Sequence, residues 1–96
     1  MKGNEVITLL RQHRADIERF GVKSLALFGS SARAEARAGS DVDLLVEFTQ
    51  PVGLFKFLDL KAYLEALLGR EVDLVTPEAL KPALRHTILA EAVHAL

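Results

Sequence analysis

VKSLALFGS (residues 22–30) is an apolar run that ends in a Gly-Ser pair, and DVDLLVEF (residues 41–48) is a second apolar run that opens with two acids. Runs of this length and composition are typical of buried strands. If the Gly-Ser pair and the acids belong to one site, the end of the first strand must lie beside the start of the second. The two stretches therefore predict neighbouring antiparallel strands with a polar site where they meet.

The spacing of apolar residues elsewhere predicts the other elements. In chain order, these are a helix over residues 4–20, a short alanine-rich helix over residues 30–39, a helix over Leu54–Leu68, a strand over residues 71–75 and a C-terminal helical segment that is bent or broken at Pro82. The helical crossover between the second and third strands favours a parallel pair. The predicted fold is α/β (α+β), in the order α-β-α-β-α-β-α, with a small mixed β-sheet flanked by helices.

Length and composition restrict the class of protein. The 96 residues are near the lower end of what one hydrophobic core supports, so we expect a single domain over residues 1–96. The formal net charge of −1 argues against stable binding of nucleic acid, and the absence of cysteine excludes disulfides and thiolate metal sites. With neither a secretion signal nor an apolar run of about 18 residues, we expect no membrane contact and a cytoplasmic location.

Three aspartates are the candidate metal ligands. Asp41 and Asp43 are two residues apart on a strand, so their side chains share one face and lie roughly 6.6 Å apart along the backbone. Carboxylate oxygens suit Mg²⁺, which leaves coordination positions for phosphate oxygens and water. Asp73 has a similar apolar setting, and on a neighbouring strand it would be the third carboxylate of a two-metal site.

The Asp-x-Asp pattern alone is also typical of a solvated strand start or a helix cap. Asp43 and Asp73, however, each stand inside an apolar run, where an unpaired carboxylate would be costly. Adjacent carboxylates also repel each other unless a cation lies between them. The metal site is therefore the favoured interpretation of the three acids.

The Gly-Ser pair is the candidate phosphate-binding element. Gly29 lets a ligand approach the backbone, and a helix that begins at Ser30 directs free amides toward an anion. Arg33 lies one helical turn further on and could reach the same anion. Helix capping by Ser30 and a solvated position for Arg33 are the alternatives when each residue is taken alone. The segment is not a P-loop, because the Gly-x-x-x-x-Gly-Lys-Ser/Thr pattern is absent.

These residues together resemble a known family. Gly29-Ser30, a ten-residue spacer and Asp41-x-Asp43 match the Gly-Ser-x10-Asp-x-Asp signature of the minimal nucleotidyltransferases (MNT domains) of the polymerase-β-like superfamily. Arg33 matches the arginine of the family's Gly-Ser-x-x-Arg variant. Element order and length also fit the stand-alone core of the family, so the resemblance extends over essentially the whole chain.

The resemblance implies an enzyme that transfers a nucleotide from ATP with two Mg²⁺ ions. Asp41 and Asp43 would be catalytic ligands of both metals, and Asp73 would bind the metal that activates the attacking hydroxyl. Gly29 and Ser30 would hold the triphosphate of the nucleotide. Arg33 would assist them. This chemistry needs no protein nucleophile, which suits a chain without cysteine.

The family also implies a biological partner. Short chains of this kind resemble antitoxins of toxin-antitoxin systems, which add AMP units to a tyrosine of an all-helical HEPN ribonuclease. The chain would then be a transferase whose partner brings the acceptor, in a homo- or hetero-oligomer. Two alternatives stay open: a binding module that neutralises its partner without catalysis, and nucleotidyl transfer to a small molecule or to RNA.

Two further groups of residues have less specific interpretations. Phe55 lies off the main apolar stripe of its helix, and it marks either a partner surface or an aromatic ring packed at an edge. His13, His86 and His94 show no metal-binding spacing on one face. We interpret the three histidines as residues of helix surfaces.

Overall fold

The computed structural model describes residues 3–29 and 41–96. In chain order the elements are the helices α1 (Gly3–Gln12) and α2 (Arg14–Glu18), the strands β1 (Val22–Leu27) and β2 (Val42–Phe48), the helix α3 (Leu54–Leu68), the strand β3 (Val72–Val75), a 3₁₀ helix (Pro77–Ala79), the helix α4 (Pro82–Glu91) and the strand β4 (Val93–His94). The short helix predicted over residues 30–39 lies outside the described residues.

Within these residues the strands form a four-stranded mixed sheet in the order β3-β2-β1-β4. β1 and β2 are antiparallel, with Leu25 opposite Val46 and Leu27 opposite Leu44. β2 and β3 are parallel. The predicted α/β fold with a small mixed sheet is therefore confirmed, as are the antiparallel first pair and the parallel second pair.

One face of the sheet packs under the helices. On β2, Val42, Leu44 and Val46 are buried in the main core. The helices contribute their own buried side chains to this core, namely Val6, Leu10, Ile17, Leu60, Leu64 and Leu68. Because successive strand residues point to opposite faces, Asp43 and Leu45 belong to the other face of the sheet.

The leucines of α3 explain its position on the sheet. Leu60, Leu64 and Leu68 recur every four residues, and all three are buried. Gly69 ends the helix with φ 66°, and its N–H donates to the carbonyl of Glu65 at 2.8 Å. The bounds agree with the predicted helix. None of the helices in the described ranges is long and apolar enough to cross a membrane.

The N-terminal helical segment is divided in two. His13 has φ −111° and ψ 23°, which lies outside the helical region, and it separates α1 from α2. Its ring atom Nδ1 lies 3.0 Å from the carbonyl oxygen of Leu9. The single helix predicted over residues 4–20 is therefore wrong at this point.

The C-terminal segment ends in a strand that the apolar spacing does not predict. α4 begins at Pro82, where a break was expected, and it ends at Glu91. β4 then pairs with β1 in antiparallel register, with Val93 opposite Leu27. A helix to the end of the chain is therefore wrong, because this pairing satisfies backbone groups on the edge of β1 that β2 leaves open.

Candidate active site

Asp43 and Asp73 are register partners on the neighbouring parallel strands β2 and β3. Adjacent strands lie about 4.8 Å apart. The next residues along, Leu44 and Leu74, are also register partners, and both pack in the main core. The two carboxylates therefore lie on the face opposite the core. Asp41 is two residues before Asp43, directly before β2 begins, and it is exposed.

The three acids form one electrostatic group. Burial raises the pKa of the Asp43 carboxyl above its usual value, and the negative charges of Asp73 and Asp41 raise that pKa further. Asp43 is partly buried, whereas Asp41 and Asp73 are exposed. The fold thus makes the charged form of Asp43 less favourable than it is for a free carboxyl. A divalent cation at this place would offset that effect, because it favours the charged carboxylate.

Backbone hydrogen bonds fix both sides of the segment that carries the acids. The N–H of Val42 donates to the carbonyl of Glu71 at 2.9 Å, which ties the start of β2 to β3. The N–H of Phe28 donates to the carbonyl of Asp43 at 3.1 Å, which ties β2 to the end of β1. Gly29 follows directly, with φ 61°. The end of the first strand therefore lies beside the start of the second, as the sequence predicts.

The predicted nucleotide-binding residues fall partly outside the described part of the chain. Gly29 is described, and its backbone lies against the carboxylate of Asp43. Ser30 and Arg33 are not among the described residues. Their contacts with a triphosphate stay predictions, and so does the contact expected for Gly29.

The chemistry of the acids fits a hard divalent cation. Carboxylate oxygens are preferred Mg²⁺ ligands, and the pKa of Asp43 is raised first by burial and then by the negative charges of Asp73 and Asp41, which a cation would offset. Across residues 3–29 and 41–96, no group of three or more histidine, cysteine, aspartate or glutamate side chains is placed so that it could hold a metal ion. A complete site would thus need side-chain movement or oxygens from the nucleotide. Mg²⁺ commonly combines one or two carboxylates with substrate phosphates.

A groove of about 630 Å³ lies at the opposite end of β2 from the acids. Its lining runs from the carboxyl end of β2 through the following loop to the first turns of α3, and it includes Phe48, Pro51, Leu54, Phe57 and Thr76. Asp41 and Asp43 are at the amino end of the strand, so the groove is separate from the acids. The sequence does not predict the groove, because its lining carries no chemical motif.

Two of the less specific interpretations are corrected by the structure. Phe55, in the first turn of α3, is 83% exposed, so its packing at an edge is wrong. His94 lies in β4 and not on a helix. His86 is exposed on α4, as expected for a residue of a helix surface.

Comparison with known proteins defines the class. The family model described as the nucleotidyltransferase domain matches residues 10–94. The chain therefore belongs to the nucleotidyltransferase-domain family, and the predicted class of enzyme, a nucleotidyltransferase, is confirmed. The matched range includes β1, β2 and β3, and with them all three acids.

Individual known proteins are similar to this chain over most of its length. The chain is 46% identical over 91 residues to the protein adenylyltransferase MntA of Thermococcus cleftensis, covering 94% of this chain and 92% of the relative. A solved structure provisionally named a minimal nucleotidyltransferase has a TM-score of 0.77 at 40% identity, covering 97% of this chain and 95% of that one. One chain of a solved complex between a tri-AMPylated Shewanella oneidensis HEPN toxin and an MNT antitoxin is similar in fold, with a TM-score of 0.65 at 18% identity, covering 94% of this chain and 71% of that one.

Proposed function

We propose that this chain is a protein adenylyltransferase that transfers AMP from ATP to a hydroxyl of a partner protein. The supporting observation is the register pair Asp43 and Asp73, with Asp41 beside it and Gly29 against it. The relative at 46% identity, a protein adenylyltransferase, supports AMP as the transferred group and a protein as the acceptor.

The proposed partner is a HEPN-type toxin ribonuclease, with a tyrosine hydroxyl as the acceptor. The fold shared with the MNT antitoxin of the AMPylated HEPN complex supports this class of partner. In this role the chain is the antitoxin of a toxin-antitoxin pair, and the modification is what silences the toxin.

Two Mg²⁺ ions are the proposed cofactors; Asp41 and Asp43 would hold both ions, and Asp73 would hold the one that activates the attacking hydroxyl. When bound, such ions lower the pKa of the attacking hydroxyl and neutralise charge on the departing pyrophosphate. The bond that forms joins the acceptor oxygen to the α-phosphorus of ATP. The bond that breaks joins that phosphorus to the oxygen bridging to the β-phosphate. Pyrophosphate leaves, and the hydroxyl proton is released to solvent.

The chain's own residues supply charge and position. Three carboxylates repel a free triphosphate, so the site accepts ATP as its complex with divalent cations. We propose that Gly29 and Ser30 hold triphosphate oxygens through a backbone amide and a hydroxyl, and that Arg33 adds a forked contact. These contacts orient the α-phosphorus toward the acceptor, whose own position the partner provides.

The experiment that tests the function follows the label of ATP. The chain is incubated with Mg²⁺, a purified HEPN protein and ATP labelled at the α-phosphate. We expect the partner to become labelled, and we expect ATP labelled at the γ-phosphate to leave it unlabelled. Mass spectrometry should place AMP on a tyrosine, and changing that tyrosine to phenylalanine in the partner should abolish labelling.

Acid variants of this chain connect the activity to the site. The double variant Asp41→Ala, Asp43→Ala should label the partner at least about a thousandfold more slowly, because several kcal/mol of charge stabilisation are lost. Glu47→Ala is the matched control, since Glu47 is an acid on the same strand and the same face, four residues away from Asp43. Labelling by the double variant at the rate of the Glu47→Ala control would contradict the proposed mechanism.

The competing function is a binding module that silences its partner by forming a complex. The exposed apolar side chains at the start of α3, Leu54 and Phe55, are the observation that favours it. The ribonuclease activity of the partner separates the two functions. A catalytic antitoxin loses neutralisation in the acid double variant, whereas a binding module retains it. Label that appears on RNA or on a small molecule instead of the partner protein would identify that molecule as the acceptor.

A further inference from the structure

A side chain at residue 29 would collide with the carboxylate of Asp43 as the structure places it. A Cβ atom built on Gly29 would lie 2.7 Å from Oδ2 of Asp43, and real Cβ atoms essentially never approach another heavy atom to under 3.0 Å. The same Cβ would lie 3.6 Å from Cγ and 3.9 Å from Cβ of Asp43, which are ordinary contact distances. The conflict is therefore with the outer carboxylate oxygen alone.

The sheet holds the two residues in this arrangement. The N–H of Phe28, one residue before Gly29, donates to the carbonyl of Asp43 itself. Leu27 and Leu44, the adjoining residues, are register partners in the antiparallel pair. Because these contacts fix both backbones, the sheet places the backbone of Gly29 against the side chain of Asp43, while the carboxylate itself can still rotate.

A methyl group at residue 29 would act on the carboxylate more than on the fold. The oxygen it displaces is the end of a short side chain, so rotation of the Asp43 carboxylate relieves the conflict. The backbone would add a separate cost, because alanine at φ 61° is strained by about 1–2 kcal/mol. The two effects differ in kind, and a second glycine of the chain separates them.

We propose that Gly29 is a positioning residue, whose missing side chain leaves room for the Asp43 carboxylate to point toward the cation. This role is additional to the contact with the triphosphate, and it rests on the proposed function, in which Asp43 is a metal ligand. A residue that shapes the orientation of a metal ligand typically changes metal affinity by 10- to 100-fold when it is altered, roughly the range expected for Gly29.

Gly69 is the matched control. Its φ is 66°, close to that of Gly29, but a Cβ built on Gly69 would meet nothing within 4 Å. Gly69→Ala therefore carries the backbone strain without a steric conflict. Gly29→Asn is a useful second variant, because asparagine tolerates left-handed backbone better than alanine while still carrying a Cβ atom.

The experiment titrates the purified chain with Mn²⁺ alone, without nucleotide, and detects binding by paramagnetic broadening of the amide signals of β2. We expect Gly29→Ala and Gly29→Asn to weaken Mn²⁺ binding by about tenfold or more. We expect Gly69→Ala to lower the unfolding temperature about as much as Gly29→Ala does while binding Mn²⁺ like the wild type. Circular dichroism at the titration temperature checks that each variant is folded.

Unchanged Mn²⁺ binding by the two Gly29 variants, beside normal binding by the wild type, would overturn the positioning role and leave the proposed function standing. An equal loss in Gly69→Ala would also overturn it, since backbone strain would then be the cause. A wild-type chain that binds no Mn²⁺ at the acids without nucleotide would overturn this inference alone, because nucleotide oxygens can complete the metal site of the proposed function, which AMP transfer to the partner tests separately.

Discussion

The two faces of β2 carry different chemistry, although alternate residues of one strand supply both. Leu44 is 0% exposed in the core beneath the helices, whereas its neighbour Asp43 lies on the other face beside two further acids. The first face gains stability from apolar burial. The second face lowers the stability of the fold, because it holds a partly buried carboxylate near like charges. The core face therefore stabilises a fold that also holds a site whose own charges oppose folding.

The largest effect is expected on the acid face. Asp73→Asn should slow AMP transfer by about a hundredfold or more, because it removes one carboxylate from the charge that holds the cations. The fold should be unaffected, since Asp73 is exposed. Initial rates with α-labelled ATP measure the loss, with Glu47→Ala as the control. Transfer at the control rate would remove Asp73 from the site.

A substitution on the core face should instead lower the stability of the fold. Leu44→Ala is expected to lower the free energy of unfolding by about 2–5 kcal/mol, because it opens a cavity among fully buried side chains. For a chain of this size that is a fall of roughly 10 °C or more in the unfolding temperature. Thermal unfolding by circular dichroism measures it. A change of only a degree or two would show that this face is not the core.

The contribution of Asp43 to the stability of the fold should also depend on pH. The pKa of Asp43 is raised from its usual value of 3.8, so the folded chain binds this proton more tightly than the unfolded chain does. The carboxyl therefore stabilises the fold fully below the usual pKa, and that contribution is lost as the pH rises through the raised value. Unfolding temperatures from about pH 3 to about pH 7 should show this loss in the wild type and not in Asp43→Asn. Identical dependence of the unfolding temperature on pH in the wild type and in Asp43→Asn would contradict this role of Asp43.

The smallest effect belongs to a side chain on neither face. Phe55 is 83% exposed on α3, so Phe55→Ser should change the free energy of unfolding by no more than about 0.5 kcal/mol. Leu60→Ala, on the buried side of the same helix, is the contrasting variant, because Leu60 is 0% exposed. Urea denaturation of both variants measures the difference. A loss for Phe55→Ser that approaches the loss for Leu60→Ala would mean that the ring is packed in solution.

Much of the fold could be predicted from local pattern. The buried strands β1 and β2, the four-residue spacing of Leu60, Leu64 and Leu68, and Gly69 at the end of α3 each follow from composition and period. The antiparallel direction of β1 and β2 followed from one functional argument, that the Gly-Ser pair and the acids share a site, whereas the helical crossover predicted the parallel direction of β2 and β3. β4 could not be predicted, because a two-residue strand has no period and its pairing with β1 is set by tertiary structure.

The candidate site was predictable in its residues but not in its contacts. The acids could be chosen because carboxylates inside apolar runs are costly without a partner. The register of Asp43 with Asp73 and the 2.7 Å approach of a Gly29 Cβ to Asp43 are three-dimensional facts that a linear pattern does not contain. The groove beyond Phe48 depends in the same way on how a loop folds back onto α3.

One variant with two readouts tests whether β2 carries its chemistry on one face and its stability on the other. Asp43→Asn keeps the shape of the side chain and removes the charge that burial and two acids disfavour. We expect AMP transfer to a HEPN partner to fall by about a thousandfold, and the unfolding temperature of the metal-free chain at neutral pH to stay equal or rise. Transfer near the wild-type rate, or an unfolding temperature that falls as it does for Leu44→Ala, would contradict the account.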